Sequence, residues 1–432
     1  ETNYHQRGYY LDTLDRIDAS LARSPANAAP SRLEAGWASV DMTPPVGAPL
    51  AGYAARPNEK RSTGIHDALY AKALVFHDGE NSAAIVAADL LMTTLNLAER
   101  VWESVADETP FTPDNIFFTT SHTHCGTGGY MPGLLGEHSA GTFDPALEAL
   151  IADAMAEAVL LGWADRGPAS FVHGHVDAPE YIINRTLMDV TDSALDYLLV
   201  EKETGEQCYA VRYSAHATVL PDAFLEVSAE YPGVLCRVLG EATGAEVLFL
   251  GGAVGAMGPA APEGQAPLEA METIGTGLAE KIIGLGPPAG FDPSPAVRAL
   301  GADVGMPSLQ ARLGMERWRL SPLFALVVGL PTDGRIQALQ IGDLVLVGLP
   351  HDAGGEIAVD WVADAQARGL RLWVTSHAIA YCGYLSPDTY YWRETVGYDQ
   401  YYEWRQMNWY GPDQEALYGD LKDHVLDGLL AE

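Results

Sequence analysis

Cysteine, basic side chains and long apolar runs are all scarce in this chain of 432 residues. The four cysteines (Cys125, Cys208, Cys236, Cys382) show no CxxC spacing, which argues against a cysteine-built zinc site and leaves disulfides allowed but not required. Only 25 Lys and Arg stand against 58 Asp and Glu, a net charge of −33. That balance argues against nucleic acid as a partner, because phosphates need a basic surface. It argues equally against purely electrostatic docking on anionic membranes, and it suits a highly soluble protein. No run of about eighteen apolar residues occurs, so the sequence holds no transmembrane helix. The first residue is Glu1 rather than Met, and from this we expect a removed leader and a secreted or periplasmic location.

What is present is ordinary globular material, 48% hydrophobic, enough to bury a large core. Residues 1–34 carry one helical pattern (Tyr10, Leu11, Leu14, Ile17, Leu21) and then a Ser/Pro/Ala/Asn stretch, read as an N-terminal arm and linker. Residues 35–432 read as one catalytic domain. Apolar or alternating runs at 69–77, 83–89, 115–118, 170–176, 209–215, 246–250, 297–304, 336–341, 344–349 and 372–376 predict strands. Helical spacing predicts helices at 95–106, 145–161, 229–239, 268–285, 356–366 and 414–430. Such alternation predicts an α/β fold with mixed β-sheets and flanking helices. Pro287 to Pro295 is the best linker candidate, and the strands after it read as the same sheet returning.

The chain is organised around Ser121-His122-Thr123-His124-Cys125-Gly126, which follows a strand-like run and opens a glycine loop. Residues two apart on extended chain share a face, so the two imidazoles offer one metal ligand plus one proton carrier, or two ligands. The bare pair fits a surface role equally well. Three further segments end strands with metal-capable side chains: Tyr213-Ser214-Ala215-His216, Leu349-Pro350-His351-Asp352, and Ala380-Tyr381-Cys382-Gly383-Tyr384. Convergence on one rim would assemble a site that no single loop can close.

The identities at these places resemble the neutral/alkaline non-lysosomal ceramidase family, over roughly Gly36 to Asp399. Val40-Asp41-Met42-Thr43-Pro44 is similar to its N-terminal signature, and Gly64-Ile65-His66 through Ala71-Lys72-Ala73 to its next segment. His122-Thr123-His124-Cys125-Gly126-Thr127-Gly128-Gly129 resembles its His-Thr-His-Ser-Gly-Pro-Gly-Gly loop, and Asn184-Arg185 its Asn-Arg pair. The resemblance implies a Zn2+ site with His122, His216, Asp352 and Tyr384 as metal-facing residues. It implies His124 as the proton acceptor, with Arg185 and a tyrosine, Tyr398, stabilising the oxyanion; Tyr384 stands among the catalytic residues too. The implied reaction is hydrolysis of an amide, N-acyl bond by metal-activated water, on a small or lipid-like substrate with peripheral membrane contact. An esterase or lactonase at the same site, or a non-catalytic ligand-binding homologue, are the alternatives.

Three departures stand out. Gly258, in Ala253-Val254-Gly255-Ala256-Met257-Gly258-Pro259, takes the place of the family's loop serine. Asp352 replaces a glutamate one methylene longer, with Glu356 as the fallback. The family's C-terminal immunoglobulin-like domain is expected to be missing. His173-Gly174-His175 reads as structural or surface, Asp89 as a helix N-cap rather than support for the metal, and Cys125 as a small filler. The Tyr/Trp-rich stretch 381–410 reads as packing first, and 312–330 as an apolar lip or a plain surface helix.

Overall fold

The computed structural model describes residues 3–27, 30–53, 61–186, 188–310, 321, 323, 330–392 and 403–431. The apolar strand runs assemble into two sheets. The larger contains β1 (Glu34–Asp41), β2 (Tyr70–His77), β3 (Ser82–Ala88), β4 (Ile116–Thr120), β5 (Gly167–Asp177), β6 (Ala194–Lys202), β7 (Gln207–Tyr213) and β8 (Glu246–Gly251). Their order is β8-β7-β6-β5-β1-β2-β3-β4. The smaller contains β9 (Val297–Gly305), β10 (Asp333–Ile341), β11 (Leu344–Gly348) and β12 (Arg371–Thr375), in that order. The pairs β3–β4, β7–β8 and β11–β12 are parallel and the other pairs antiparallel, so both sheets are mixed.

Because successive strand residues point to opposite faces, each sheet buries two sets of side chains. Leu74, Phe76 and Ile85 meet Leu339, Leu346 and Trp373 between the sheets. Ala73, Val75 and Val86 face the other way, onto helices α2 (Leu95–Val105) and α3 (Pro145–Ala164). Helices α4 (Glu230–Thr243) and α5 (Pro267–Gly284) cover the remaining half of that surface, over β6, β7 and β8. On the far side of the small sheet lie α1 (Gly8–Leu21), α6 (Gly355–Ala367) and α7 (Gln414–Leu430). The result is a four-layer α/β/β/α stack, the mixed-sheet α/β fold expected from the sequence. Among the described residues, no helix is long and apolar enough to cross a membrane.

One expectation fails here. The strands after the Pro-rich segment form a second sheet rather than returning to the first. The N-terminal helix α1 is built into the stack, with Ile17 fully buried against the small sheet and α7.

Two features set up the functional region. The large sheet curls until its edges meet, so that a Cβ on Gly251 at the end of β8 would lie 2.6 Å from the Thr120 carbonyl oxygen at the end of β4. The outer edge of β4 is satisfied by a side chain from the other sheet. Gln337 of β10 accepts from the Phe118 N–H (3.1 Å) and donates to the Ile116 carbonyl (2.5 Å). Both contacts fix the small sheet against the strand that leads to His122.

Candidate metal centre

Parallel strands deliver their C-terminal ends to one edge, where loops leave room for chemistry. β7 and β8 finish in register at Tyr213 and Gly251, and the curl places Thr120 beside them. β11 and β12 finish in register at Gly348 and Thr375, and the Ser376 N–H donates to the Gly252 carbonyl (3.1 Å), joining the two edges. Asp352 and Tyr384 are then direct partners in a short parallel bridge, 352–353 with 384–385. Thus the ends of strands in both sheets, together with that bridge, bring His122, His216, Asp352, His377 and Tyr384 to one place.

Two overlapping groups have ligand atoms all within 4.8 Å of one another: His122, His124 and His216, and His122, Asp352 and His377. His122 belongs to both and is buried. Its Nδ1–H donates to the Leu91 carbonyl (2.7 Å), which leaves the Nε2 lone pair facing the centre. His216, also buried, donates from Nδ1 to the Val254 carbonyl (2.7 Å), and its Nε2 lies 3.4 Å from the Tyr384 hydroxyl. A backbone carbonyl behind each imidazole is the usual way a ligating histidine is oriented and its tautomer fixed.

Asp352 accepts from the Tyr381 hydroxyl at Oδ2 (2.7 Å) and from His377 Nε2 at Oδ1. The His122 Nε2 stands 3.7 Å from the same Oδ1. Burial holds His122 and His216 well below the usual imidazole range, and the other histidines at the centre push the same way for His122. Burial by itself would raise Asp352, yet the facing imidazoles, His377 first, hold it well below the usual carboxylate range. Neutral imidazoles beside an ionised carboxylate are the protonation state a divalent cation needs.

His124 is half-buried, its Nε2 3.2 Å from His122 Nε2. The Tyr53 N–H donates to its Nδ1 (3.3 Å), which puts the neutral ring's proton on Nε2. Arg185 donates from Nη2 to Glu403 (2.9 Å) and lies 3.3 Å from His216 Nδ1. Burial pushes the Glu403 carboxyl up to about 7, opposed by Arg185. A Cβ on Gly258 would sit 3.0 Å from Arg185 Cγ and Cδ, so the arginine's arm fills the space where the resemblance puts a serine.

His122, His124, His216, Asp352, Tyr384 and Arg185, all expected from the sequence, are therefore neighbours. Tyr398 and most of the stretch 312–330 lie outside the described residues. Glu356 is not part of the centre; its Oε1 accepts from Asn184 (2.6 Å) and Tyr390. Asp89 is no N-cap, because α2 is preceded by Thr94, and its carboxylate accepts the Tyr70 N–H (3.0 Å). His173 takes Asp343 as its partner (3.0 Å). Reading by motif missed His377 and Glu403, and it quoted Tyr381 without giving it a role at the site. The available signal for His377 was its place directly after a predicted strand, the pattern already used for His216.

The first part of the chain, residues 33–193, matches the model of the neutral/alkaline non-lysosomal ceramidase family, N-terminal part. A neutral ceramidase of Mycobacterium tuberculosis (strain ATCC 25618 / H37Rv) is 33% identical over 135 residues, which is 30% of this chain and only 21% of that protein's length. The crystal structure of a neutral ceramidase from Pseudomonas aeruginosa shares the fold with a TM-score of 0.76 at 18% identity, covering 92% of this chain and 74% of that one. A ceramidase complexed with C2 is similar to the same degree, with a TM-score of 0.76 at 18% identity over 91% of this chain and 74% of that one. Residues 33–193 therefore match the N-terminal model of the neutral/alkaline non-lysosomal ceramidase family, and nearly the whole chain shares the fold of the solved neutral ceramidase.

Proposed function

We propose that this protein is a zinc-dependent hydrolase that cleaves the amide bond of an N-acyl, lipid-like substrate. The observation that carries the reading is the pair of overlapping ligand groups sharing buried His122. The residues fit a divalent cation: two imidazoles present Nε2 with a carbonyl behind each, and a carboxylate held ionised faces them. His122, His216 and Asp352 would hold the ion, with Tyr384 beside His216. Histidine and carboxylate donors suit zinc, which supplies Lewis acidity and activates water near neutral pH.

The chain's own groups divide the remaining tasks. His124 is the proton carrier. In its contact with Tyr53 the ring holds a proton at Nε2, ready for a departing nitrogen; accepting one there requires the opposite tautomer. Arg185, steadied by Glu403, supplies positive charge for the oxygen that becomes negative when the carbonyl is attacked. That the similar proteins are ceramidases favours a ceramide-like substrate.

The test is metal analysis of the purified protein joined to hydrolysis of N-acyl amides and matched esters, with and without chelator. Near-stoichiometric zinc, chelator-sensitive amide hydrolysis, and loss of both in His122→Ala are expected. Unchanged metal content and turnover in His122→Ala would sink the reading. Turnover of esters alone would redirect it to an esterase, and bound zinc with no turnover to a binding protein.

A further inference from the structure

We propose that His377 is a positioning residue of the metal centre, holding the Asp352 carboxylate and the His122 ring in the arrangement a divalent cation requires. The proposal rests on the metal reading above and adds a residue to it. His377 is fully buried and touches two of the candidate ligands at once. Its Nε2 donates to Asp352 Oδ1, and its ring lies flat on that of His122, with centroids 4.0 Å apart and planes 9° from parallel. The Tyr381 hydroxyl takes the other carboxylate oxygen (2.7 Å), so Asp352 is gripped at both ends.

That grip answers a problem of reach. Where the family resemblance puts a glutamate this chain has an aspartate, whose shorter arm leaves less freedom to find an ion. A short carboxylate serves only if it is aimed, and a buried ionised one needs donors on its oxygens. His377 supplies the aim from the neighbouring parallel strand, since β11 and β12 end in register. Its backbone sits at φ +58, a left-handed conformation that a residue with a side chain rarely adopts. The His351 carbonyl accepts its N–H (3.3 Å), and the next residue, Ala378, donates to the Leu349 carbonyl (3.0 Å). With Nε2 committed to Asp352, the remaining ring nitrogen, Nδ1, is buried with no hydrogen-bond partner among the described residues. The ring's contacts with the centre therefore run through Asp352 and His122, the two groups it orients.

The experiment strips the full chain of metal and titrates Zn2+ against a chromophoric chelator, comparing wild type, His377→Ala and His377→Gln. Visible absorption of the Co2+-loaded forms reports coordination number. His377→Ala is expected to weaken zinc about 10–100-fold, the range typical when the partner of a ligand is removed. His377→Gln places an amide N–H near the position of Nε2 and is expected to bind within a few-fold of wild type, with Co2+ intensity unchanged. Should His377→Ala fail to fold by circular dichroism, the glutamine variant decides alone. Wild-type affinity in His377→Ala overturns the proposal. So does a tenfold or larger loss in folded His377→Gln with a changed Co2+ spectrum, because that makes His377 a ligand. A wild-type protein that binds no divalent cation sinks the metal reading itself, a distinct result.

Discussion

Seven non-glycine residues among those described adopt positive φ, and five of them, Tyr53, His122, Ala256, His377 and Ala380, lie in or next to the candidate centre. Each such residue costs about 1–3 kcal/mol, tolerated only where the surroundings over-determine it. Strain gathered at one spot is what a preorganised site looks like from the backbone. A sixth, Glu230, carries a testable cost of another kind. Burial pushes its carboxyl up to about 7 from an ordinary 4.5, although the N–H groups of Leu220 (2.6 Å) and Tyr231 (3.1 Å) oppose this. Between those values the folded form binds more protons than the unfolded one, so stability falls as pH rises through the window. Glu230→Gln removes that titration. Its Tm against pH, from about pH 5 to pH 8, is expected to be flatter than that of wild type; an equal slope would assign the dependence to other groups. At this scale the sequence revealed His122 and His124, because a His-x-His pair announces itself. A lone histidine such as His377 does not, since its meaning comes from a neighbouring strand and from a backbone angle no residue name encodes.

Elements were easier to read where one face is buried. Helix α7 spans Gln414–Leu430, the bounds its apolar spacing predicts. Strand β6 escaped notice because most of its length is buried on both faces, which erases alternation. Its Asp196 also looks like a loop residue. The explanation lies in two arginines from other strands, Arg212 of β7 (2.9 Å) and Arg371 of β12 (2.6 Å), which satisfy that carboxylate across the space between the sheets. The helix α1 is the element whose membership in the core is simplest to check. Ile17 is completely buried between the small sheet and α7, so Ile17→Ala is expected to cost about 2–5 kcal/mol in denaturant unfolding. A loss below about 0.5 kcal/mol, the surface value, would mean that α1 contributes little.

For the whole molecule, the alternation of strand and helix patterns foretold the class of fold but not the number of sheets. An apolar run predicts a strand without saying which neighbours it will choose, and here the last four strands of the two main sheets pair among themselves. Charge is the other global property. A net −33 is self-repulsive, and raising salt from about 0.01 M to 1 M shortens the screening length from roughly 30 to 3 Å. Tm is therefore expected to climb over that range in the metal-free protein. A Tm indifferent to salt would show the acidic groups already compensated by local partners.

The candidate centre is divided between the two sheets, with the ligands His122 and His216 on loops from the large one and Asp352, together with its partner His377, on loops from the small one. On the proposed metal reading, cation affinity is tied to how two slabs of protein are spaced, and Phe117, Leu346 and Trp373, none of which is a candidate ligand, pack in the seam between them. On that reading the greasy seam serves the site's chemistry as well as stability. A substitution there can leave every histidine in place and still spoil the grip.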